Sequence, residues 1–186
     1  MLPYYTCAYC ASTHITFYTC CPTCGALMAP PIASKAPNPP TPLDLAAALT
    51  KICARYEDIT CCHSTATLPE KKLRNARQAF VPPEEIVIFL CDDTLFGSNN
   101  LGFAVCTGGL YWKNDWATAT KRTRLTWAEF VERDITYDAQ HYDINLGRGD
   151  RIGAAAMGGE DGRARLTALL VEIRDFLRTV LPSSAS

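Results

Sequence analysis

Ile86-Val-Ile-Phe-Leu-Cys-Asp-Asp-Thr-Leu-Phe-Gly-Ser-Asn-Asn-Leu-Gly-Phe-Ala-Val-Cys-Thr-Gly-Gly-Leu-Tyr-Trp-Lys113 is the stretch from which the fold can be read. Ile86 to Cys91 is a continuous apolar run, closed off by Pro82-Pro83 before it and Asp92-Asp93 after it, which is the length and punctuation of a buried strand. Leu101 to Cys106 and Leu110 to Lys113 flank Gly108-Gly109, a two-glycine hairpin signal. Working toward the C-terminus, further strands are predicted over Lys121 to Trp127, Asp134 to Tyr137, His141 to Leu146 and Arg151 to Met157, with an Asp-Ala-Gln turn at residues 138–140. Gly158, Gly159 and Gly162 are expected to break the sheet. Leu166, Leu169, Leu170, Ile173, Phe176, Leu177, Val180 and Leu181 then fall on one stripe at helical spacing, opposite Arg165, Glu172, Arg174, Asp175 and Arg178. Seven short antiparallel strands closed by one amphipathic helix is an α+β architecture.

The quoted stretch resembles the first hairpins of bacterial pleckstrin-homology-like (PH-like) domains. In that family an Asp-Asp-Thr-x-Phe-Gly-Ser loop, here residues 92–98, leads to a Gly-Phe pair, here Gly102-Phe103. A Gly-Gly-Leu/Ile-Tyr element follows, here Gly108 to Tyr111. The resemblance covers about residues 82–182 and implies a seven-stranded antiparallel barrel capped by the C-terminal helix. An N-terminal zinc ribbon is a common companion in that family. What the family implies is a binding scaffold and not a reaction.

Upstream, Thr41-Pro42-Leu43-Asp44 offers an N-cap, a proline at the first helical position and an acid at the third. Leu45, Leu49, Ile52, Cys53 and Tyr56 follow at helical spacing. Thr67-Leu68-Pro69-Glu70 predicts a second capping box, opening a basic helix through Lys71, Lys72, Arg74 and Arg77. Residues 30–42 hold six of the twelve prolines and form a spacer. The expected organisation is therefore a ribbon over 1–28, a proline-rich linker over 29–42, a helical segment over 43–81 and the PH-like barrel with its helix over 82–186.

The ribbon rests on the cysteines. Five of the ten lie in the first 24 residues, as Cys7-Ala-Tyr-Cys10 and Cys21-Pro-Thr-Cys24-Gly25 plus Cys20. Two Cys-x-x-Cys knuckles let each tight turn give two thiolates to one tetrahedral ion, so Cys7, Cys10, Cys21 and Cys24 are expected to bind a single structural Zn²⁺. Cys20 competes with Cys21 in register but makes a wider bite with Cys24. Ser12 to Thr19 suits a short hairpin between the knuckles, with His14 on its surface. Four ligands close the site, so this metal holds a fold and does no chemistry. The remaining cysteines, Cys53, Cys61, Cys62, Cys91 and Cys106, read as buried or loop thiols. A second metal site from Cys53, Cys61, Cys62 and His63 matches no ligand spacing.

Composition bounds the function. Apolar residues make up 48% and charged residues 20%, and the net charge of -1 supplies no global field for nucleic acid or anionic membrane. No apolar run reaches the roughly 20 residues that span a bilayer, and the opening Met-Leu-Pro-Tyr-Tyr lacks a signal-peptide layout, so a cytoplasmic protein is expected. Residues 1–34 contain no Lys, Arg, Asp or Glu, which argues against phosphate binding by the ribbon. Its Tyr4, Tyr5, Tyr9 and Tyr18 either pack over the knuckles or meet a protein partner; Phe96, Trp112 and Trp116 are further candidate contacts around the sheet loops.

Nothing assembles into an active site. Asp92 and Asp93 are adjacent on a strand end and point opposite ways, so a capping role with Thr94 and Ser98 is expected. His63 and His141 have no visible nucleophile, and Arg148-Gly-Asp150 reads as a turn. The expected function is a non-enzymatic adaptor for a protein partner, suited to a bacterial conflict or defence system, though no residue specifies one. The alternatives are nucleic-acid binding through the ribbon, helped by Lys71, Lys72, Arg74 and Arg77, and lipid binding through Lys113, Lys121, Arg122 and Arg124.

Overall fold

The computed structural model describes residues 5–6, 10–14, 20–26, 41–94 and 97–181. The chain divides into two compact units, Met1–Asn38 and Pro39–Ser186. In the first unit β1 (Tyr5–Thr6) and β2 (Thr13–His14) pair antiparallel, with Tyr5 opposite His14 and Thr6 opposite Thr13. The pairing therefore encloses the first cysteine knuckle as its loop, whereas the sequence places a hairpin between the knuckles. The paired segments satisfy each other's backbone N–H and C=O groups, and residues 7–9 lie outside the described ones. Residues 15–19 lie outside the described ones.

The second unit begins with α1 (Pro42–Cys53), entered through the expected box: Asp44 N–H donates to Thr41 Oγ1 at 3.2 Å and Thr41 N–H to Asp44 Oδ2 at 3.2 Å. A single 3₁₀ turn (Ala54–Tyr56) leads to β3 (Cys62–Ser64) and α2 (Glu70–Ala79). The predicted Thr67 box does not form. Pro69 is the N-cap and has no side chain to cap with, while Thr67 Oγ1 accepts from Ser64 N–H at 3.1 Å and closes the preceding turn. Strands β4 (Val87–Asp92), β5 (Gly102–Cys106), β6 (Gly109–Lys113) and β7 (Arg124–Thr126) then follow. With β3 at one edge they make a five-stranded antiparallel sheet in the order β3-β4-β5-β6-β7. A short helix α3 (Trp127–Phe130) precedes β8 (Thr136–Asp138), β9 (Asp143–Asn145) and β10 (Arg151–Gly153), which form a separate three-stranded sheet. The unit is thus α+β with two antiparallel sheets and not one closed barrel.

The continuous apolar run that opened the sequence has its cause in two cores. On one face Phe103, Val105, Leu110 and Trp112 meet Leu49, Ile52 and Cys53 of α1 and the leucine stripe of α4 (Gly159–Val180). On the other, Val87, Leu90, Ala104, Cys106 and Tyr111 meet Ala76 of α2 with Leu73 and Phe80. A strand sandwiched between helices has no solvent face, so alternation disappears. A register shift between Val87 and Phe89 turns both Ile88 and Phe89 toward the first core.

Gly158, expected to break the sheet, is the left-handed N-cap of α4 at φ 69°, and Gly159 and Gly162 lie in its first turn. A Cβ at Gly162 would run into the Met157 carbonyl, so glycine is needed there for space. The β5–β6 reversal uses its glycines the same way. Gly108 N–H donates to Glu85 Oε2 at 2.8 Å, and Glu85 also accepts from Thr107 Oγ1 at 2.9 Å and Tyr111 OH at 2.8 Å, filling the room a side chain would need. Asn114 ties the two sheets together by donating to the Arg151 carbonyl at 3.0 Å and accepting from Gly153 N–H at 2.8 Å.

Candidate metal centre and the clefts of the second unit

Cys10 leaves the β1–β2 loop, and Cys21 and Cys24 flank a turn closed by Gly25 N–H to the Cys21 carbonyl (2.8 Å) and Cys21 N–H to the Ala26 carbonyl (2.8 Å). Gly25 takes φ 75°, a left-handed conformation that glycine adopts at no steric cost. These turns bring the sulfurs of Cys10, Cys21 and Cys24 within 4.8 Å of one another. Cys10 Sγ and Cys21 Sγ are 3.7 Å apart. Zinc–sulfur bonds of roughly 2.3 Å in a tetrahedron set sulfur–sulfur edges of about 3.8 Å, so the spacing fits such an ion. Cys20 is exposed and stands outside the group, which resolves the register in favour of Cys21. Cys7 lies outside the described residues.

The surroundings favour thiolates, the form a metal requires. Ser12 Oγ sits 3.0 Å from Cys10 Sγ and 3.3 Å from Cys21 Sγ. With the Cys24 and Thr23 amides and His14 assisting, that hydroxyl is the main cause holding the Cys21 thiol down at about 5; Cys10 is lowered by Ser12 as well. His14 is not a bystander on the surface. Its Nε2 lies 3.0 Å from Ser12 Oγ and 3.6 Å from Cys21 Sγ, because pairing with Tyr5 places β2 beside the second knuckle. A metal ion can be held by Cys10, Cys21 and Cys24.

The second cysteine group behaves differently. Cys62 and Cys91, paired across β3 and β4, form a disulfide, so two of the residues expected as thiols are not thiols. The sequence shows neither β3 nor the register that brings these sulfurs together. Cys53 and Cys106 are buried in opposite cores, and burial pushes the Cys53 thiol up to about 12 and Cys106 higher than an ordinary thiol. His63 Nε2 is buried without a hydrogen-bond partner, and burial lowers the ring's affinity for a proton. Among the described residues, the Cys10–Cys21–Cys24 group is the only one with metal-ligand spacing.

Asp92 and Asp93 diverge as strand geometry requires. Asp92 Oδ1 accepts from Thr94 N–H (2.9 Å), Thr94 Oγ1 (2.5 Å) and Asn99 N–H (3.2 Å), and Lys72 Nζ lies 3.5 Å from Oδ2, so this carboxylate caps the loop. Thr94 Oγ1 in turn accepts from Ser98 N–H at 2.7 Å. Asp93 reaches the other way to accept from Ala156 N–H at 2.7 Å, and burial, reinforced by Asp115, Asp92 and Asp143, pushes it up to about 6. His141 has a partner that the sequence hides: Asp138 Oδ2 lies 2.9 Å from its Nδ1 and also accepts from Arg151 at 3.1 Å. His141 and Arg151 border a cleft of about 540 Å³ lined also by Trp116, Ala117, Thr118, Ala119, Asp143 and Gly149. The Arg148-Gly-Asp150 segment beside it is a turn, with Asp150 buried 2.9 Å from Arg133.

Of the aromatic contact candidates, Trp112 is corrected: only 1% of it is exposed, because β6 alternates it into the first core. Trp116 is 41% exposed on the loop beyond β6. Tyr5 is described in its backbone alone, and Tyr4, Tyr9, Tyr18 and Phe96 lie outside the described residues. The basic clusters are partly neutralised. Lys72 faces Asp92, and Arg122 pairs with Glu129, while Arg74 and Arg77 line a shallow cleft with Glu70, Leu73, Gln78 and Pro83. Among the described residues no helix is long and apolar enough to cross a membrane. The chain matches no known family model, no curated protein and no solved structure.

Proposed function

We propose that this protein is a non-enzymatic adaptor for a protein partner, built from a ribbon held by one structural zinc and a PH-like binding unit. The observation that carries the reading is Trp116. A large indole left 41% exposed in the lining of a cleft of about 540 Å³, shared with the small residues Ala117, Ala119 and Gly149 and with the charged Arg151–Asp143 pair, is the arrangement of a protein-contact anchor. Tyr142, next in sequence to His141, is also exposed, with the Arg163 guanidinium 4.9 Å over its ring. The zinc reading rests on the sulfur spacing and on Cys7 as fourth ligand, which gives a closed set with no place for a reacting water. The PH-like reading is supported by the order of elements from residue 87 on: a four-strand meander, a three-strand sheet, then a closing helix. Two linked modules raise apparent affinity through effective concentration, so each contact can be weak alone.

The cytoplasm remains the expected setting, with the Cys62–Cys91 bridge as the feature to reconcile with it. The test is affinity capture on the full-length protein with identified, quantified prey. Prey retained by wild type and lost with Trp116→Ala at unchanged stability supports the adaptor. The same prey on both proteins removes Trp116 from the interface. Nucleic acid recovered instead, with binding that collapses in added salt, would replace the reading with the ribbon-borne alternative.

A further inference from the structure

The Cys62–Cys91 bridge is sealed from solvent and yet has one neighbour that is not. Cys62 is 4% exposed and Cys91 fully buried, so a small thiol in solution has no line of approach to either sulfur. Cys61 precedes the strand, and its side chain lies on the same side as that of Cys62, with the two Sγ atoms 3.7 Å apart, in van der Waals contact. Unlike the bridge, Cys61 is partly exposed and opens on a separate cleft of about 420 Å³, together with Thr60, Lys72, Asp92 and Gly158. We infer that Cys61 is the entry point of a thiol–disulfide exchange site, through which small-molecule thiols open and re-form the buried Cys62–Cys91 bridge.

The chemistry closes without an added oxidant. Cys61 gives its proton to water, and its sulfur attacks Cys62 Sγ. The Cys61–Cys62 bond forms as the Cys62–Cys91 bond breaks, and the electron pair leaves on Cys91, which takes up a proton. The disulfide has moved from a buried position to one that includes a reachable sulfur. A small thiol then attacks the Cys61 sulfur, releasing the Cys62 thiol and leaving a mixed disulfide on Cys61. A second small thiol removes that group as a small-molecule disulfide and restores the Cys61 thiol. Two small thiols are oxidised and the Cys62–Cys91 pair is reduced; the reverse sequence, driven by a small-molecule disulfide, restores the bridge. Burial holds the Cys61 thiol protonated, with Asp92 and Asp93 reinforcing this and Lys72 opposing it, so exchange is slow at neutral pH and the bridge persists at rest. The consequence falls on β3, an edge strand of three residues that loses its covalent staple to β4 when the bridge opens.

The experiment treats full-length wild type and Cys61→Ser with excess reduced glutathione, quenches with acid, alkylates free thiols and maps every cysteine by peptide mass spectrometry. In wild type, the Cys61–Cys62 disulfide with a free Cys91 appears first and glutathione on Cys61 next, both before the fully reduced protein, while Cys61→Ser loses the bridge at least about tenfold more slowly. Equal rates in the two proteins, glutathione arriving first on Cys62 or Cys91, or purified protein with Cys62 and Cys91 both free would each overturn the inference. A phosphine reductant must also reach a bridge sulfur and is expected to depend on Cys61 in the same way, whereas hydrogen exchange of the β3 amides in the two oxidised proteins should be alike; slower exchange in Cys61→Ser would assign the effect to packing and sink the relay. Cys91→Ala gives an independent check. Exposed to oxidised glutathione while folded, it is expected to form the Cys61–Cys62 disulfide, and Cys62 remaining free would contradict the proposal.

Discussion

The two units of this chain solve the same problem by different means. Residues 39–186 bury helix stripes on both faces of a sheet, with Phe89, Phe103, Leu110, Leu170 and Ile173 fully enclosed. Residues 1–38 carry a pair of two-residue strands and a cysteine turn, and Cys21 is the buried apolar residue among those described there. Units below ~40 residues seldom bury enough surface to offset chain entropy without a metal, disulfides or a partner. A core distributes its stabilisation over dozens of contacts, whereas a metal concentrates it in a few bonds. The first kind of unit should yield gradually to substitution, and the second all at once.

The largest expected effect is therefore on the ribbon. Structural zinc is worth roughly 10–16 kcal/mol in small zinc modules, so Cys21→Ser or a strong chelator should abolish the β1–β2 pairing and the turn around Cys21 and Cys24. Amide signals from residues 41–181 should stay in place, and their collapse along with the ribbon's would break the comparison. Phe103→Ala asks the converse. Cavity formation in a fully buried site should cost the larger unit about 3–5 kcal/mol in urea unfolding, with metal content unchanged.

A pH profile sharpens the picture of the larger unit. Burial pushes the Asp93 carboxyl up to about 6 in the folded chain, against an ordinary carboxylate value of 3.8. The folded chain thus holds that proton more tightly than the unfolded chain does. Its contribution to stability is whole below the unfolded value and is lost as pH rises through about 6. Asp93→Asn should flatten that part of the profile and stabilise the protein at neutral pH by on the order of 2 kcal/mol, with the Ala156 amide still satisfied. An unchanged profile would mean that the carboxyl is better solvated than its surroundings indicate. The smallest effect belongs to a cap: Thr126→Ala removes the hydroxyl that accepts from Glu129 N–H and should cost about 1 kcal/mol by thermal unfolding.

Much of this contrast is legible before any coordinates. The run from Ile86 to Cys91, the hairpin after Cys106 and the stripe from Leu166 to Leu177 are long, periodic and apolar, and burial in a core is what such patterns encode. The box at Thr126-Trp-Ala-Glu129 was equally legible as a helix start, yet reads as strand when its aromatic and β-branched neighbours are weighed first. Strand β3 leaves little trace because three residues carry no period, and its pairing partner lies 29 residues away across the bridge. Trp112 reads as a surface contact in the sequence because aromatic residues serve cores and interfaces alike; only the alternation of β6 between two helical layers decides it. At the candidate metal centre the knuckle spacing points to Cys10, Cys21 and Cys24, whose sulfurs lie together, and to Cys7, which lies outside the described residues. The roles of Ser12 and His14 depend on the β1–β2 register, which the sequence does not display.

The most direct test of the account is the metal content of the full-length protein purified without added metal, measured by elemental analysis and by native mass spectrometry. One zinc per chain, lost in Cys21→Ser while residues 41–181 keep their fold, is the predicted result. Protein without metal, its N-terminal cysteines free or oxidised and its ribbon nonetheless folded, would contradict it.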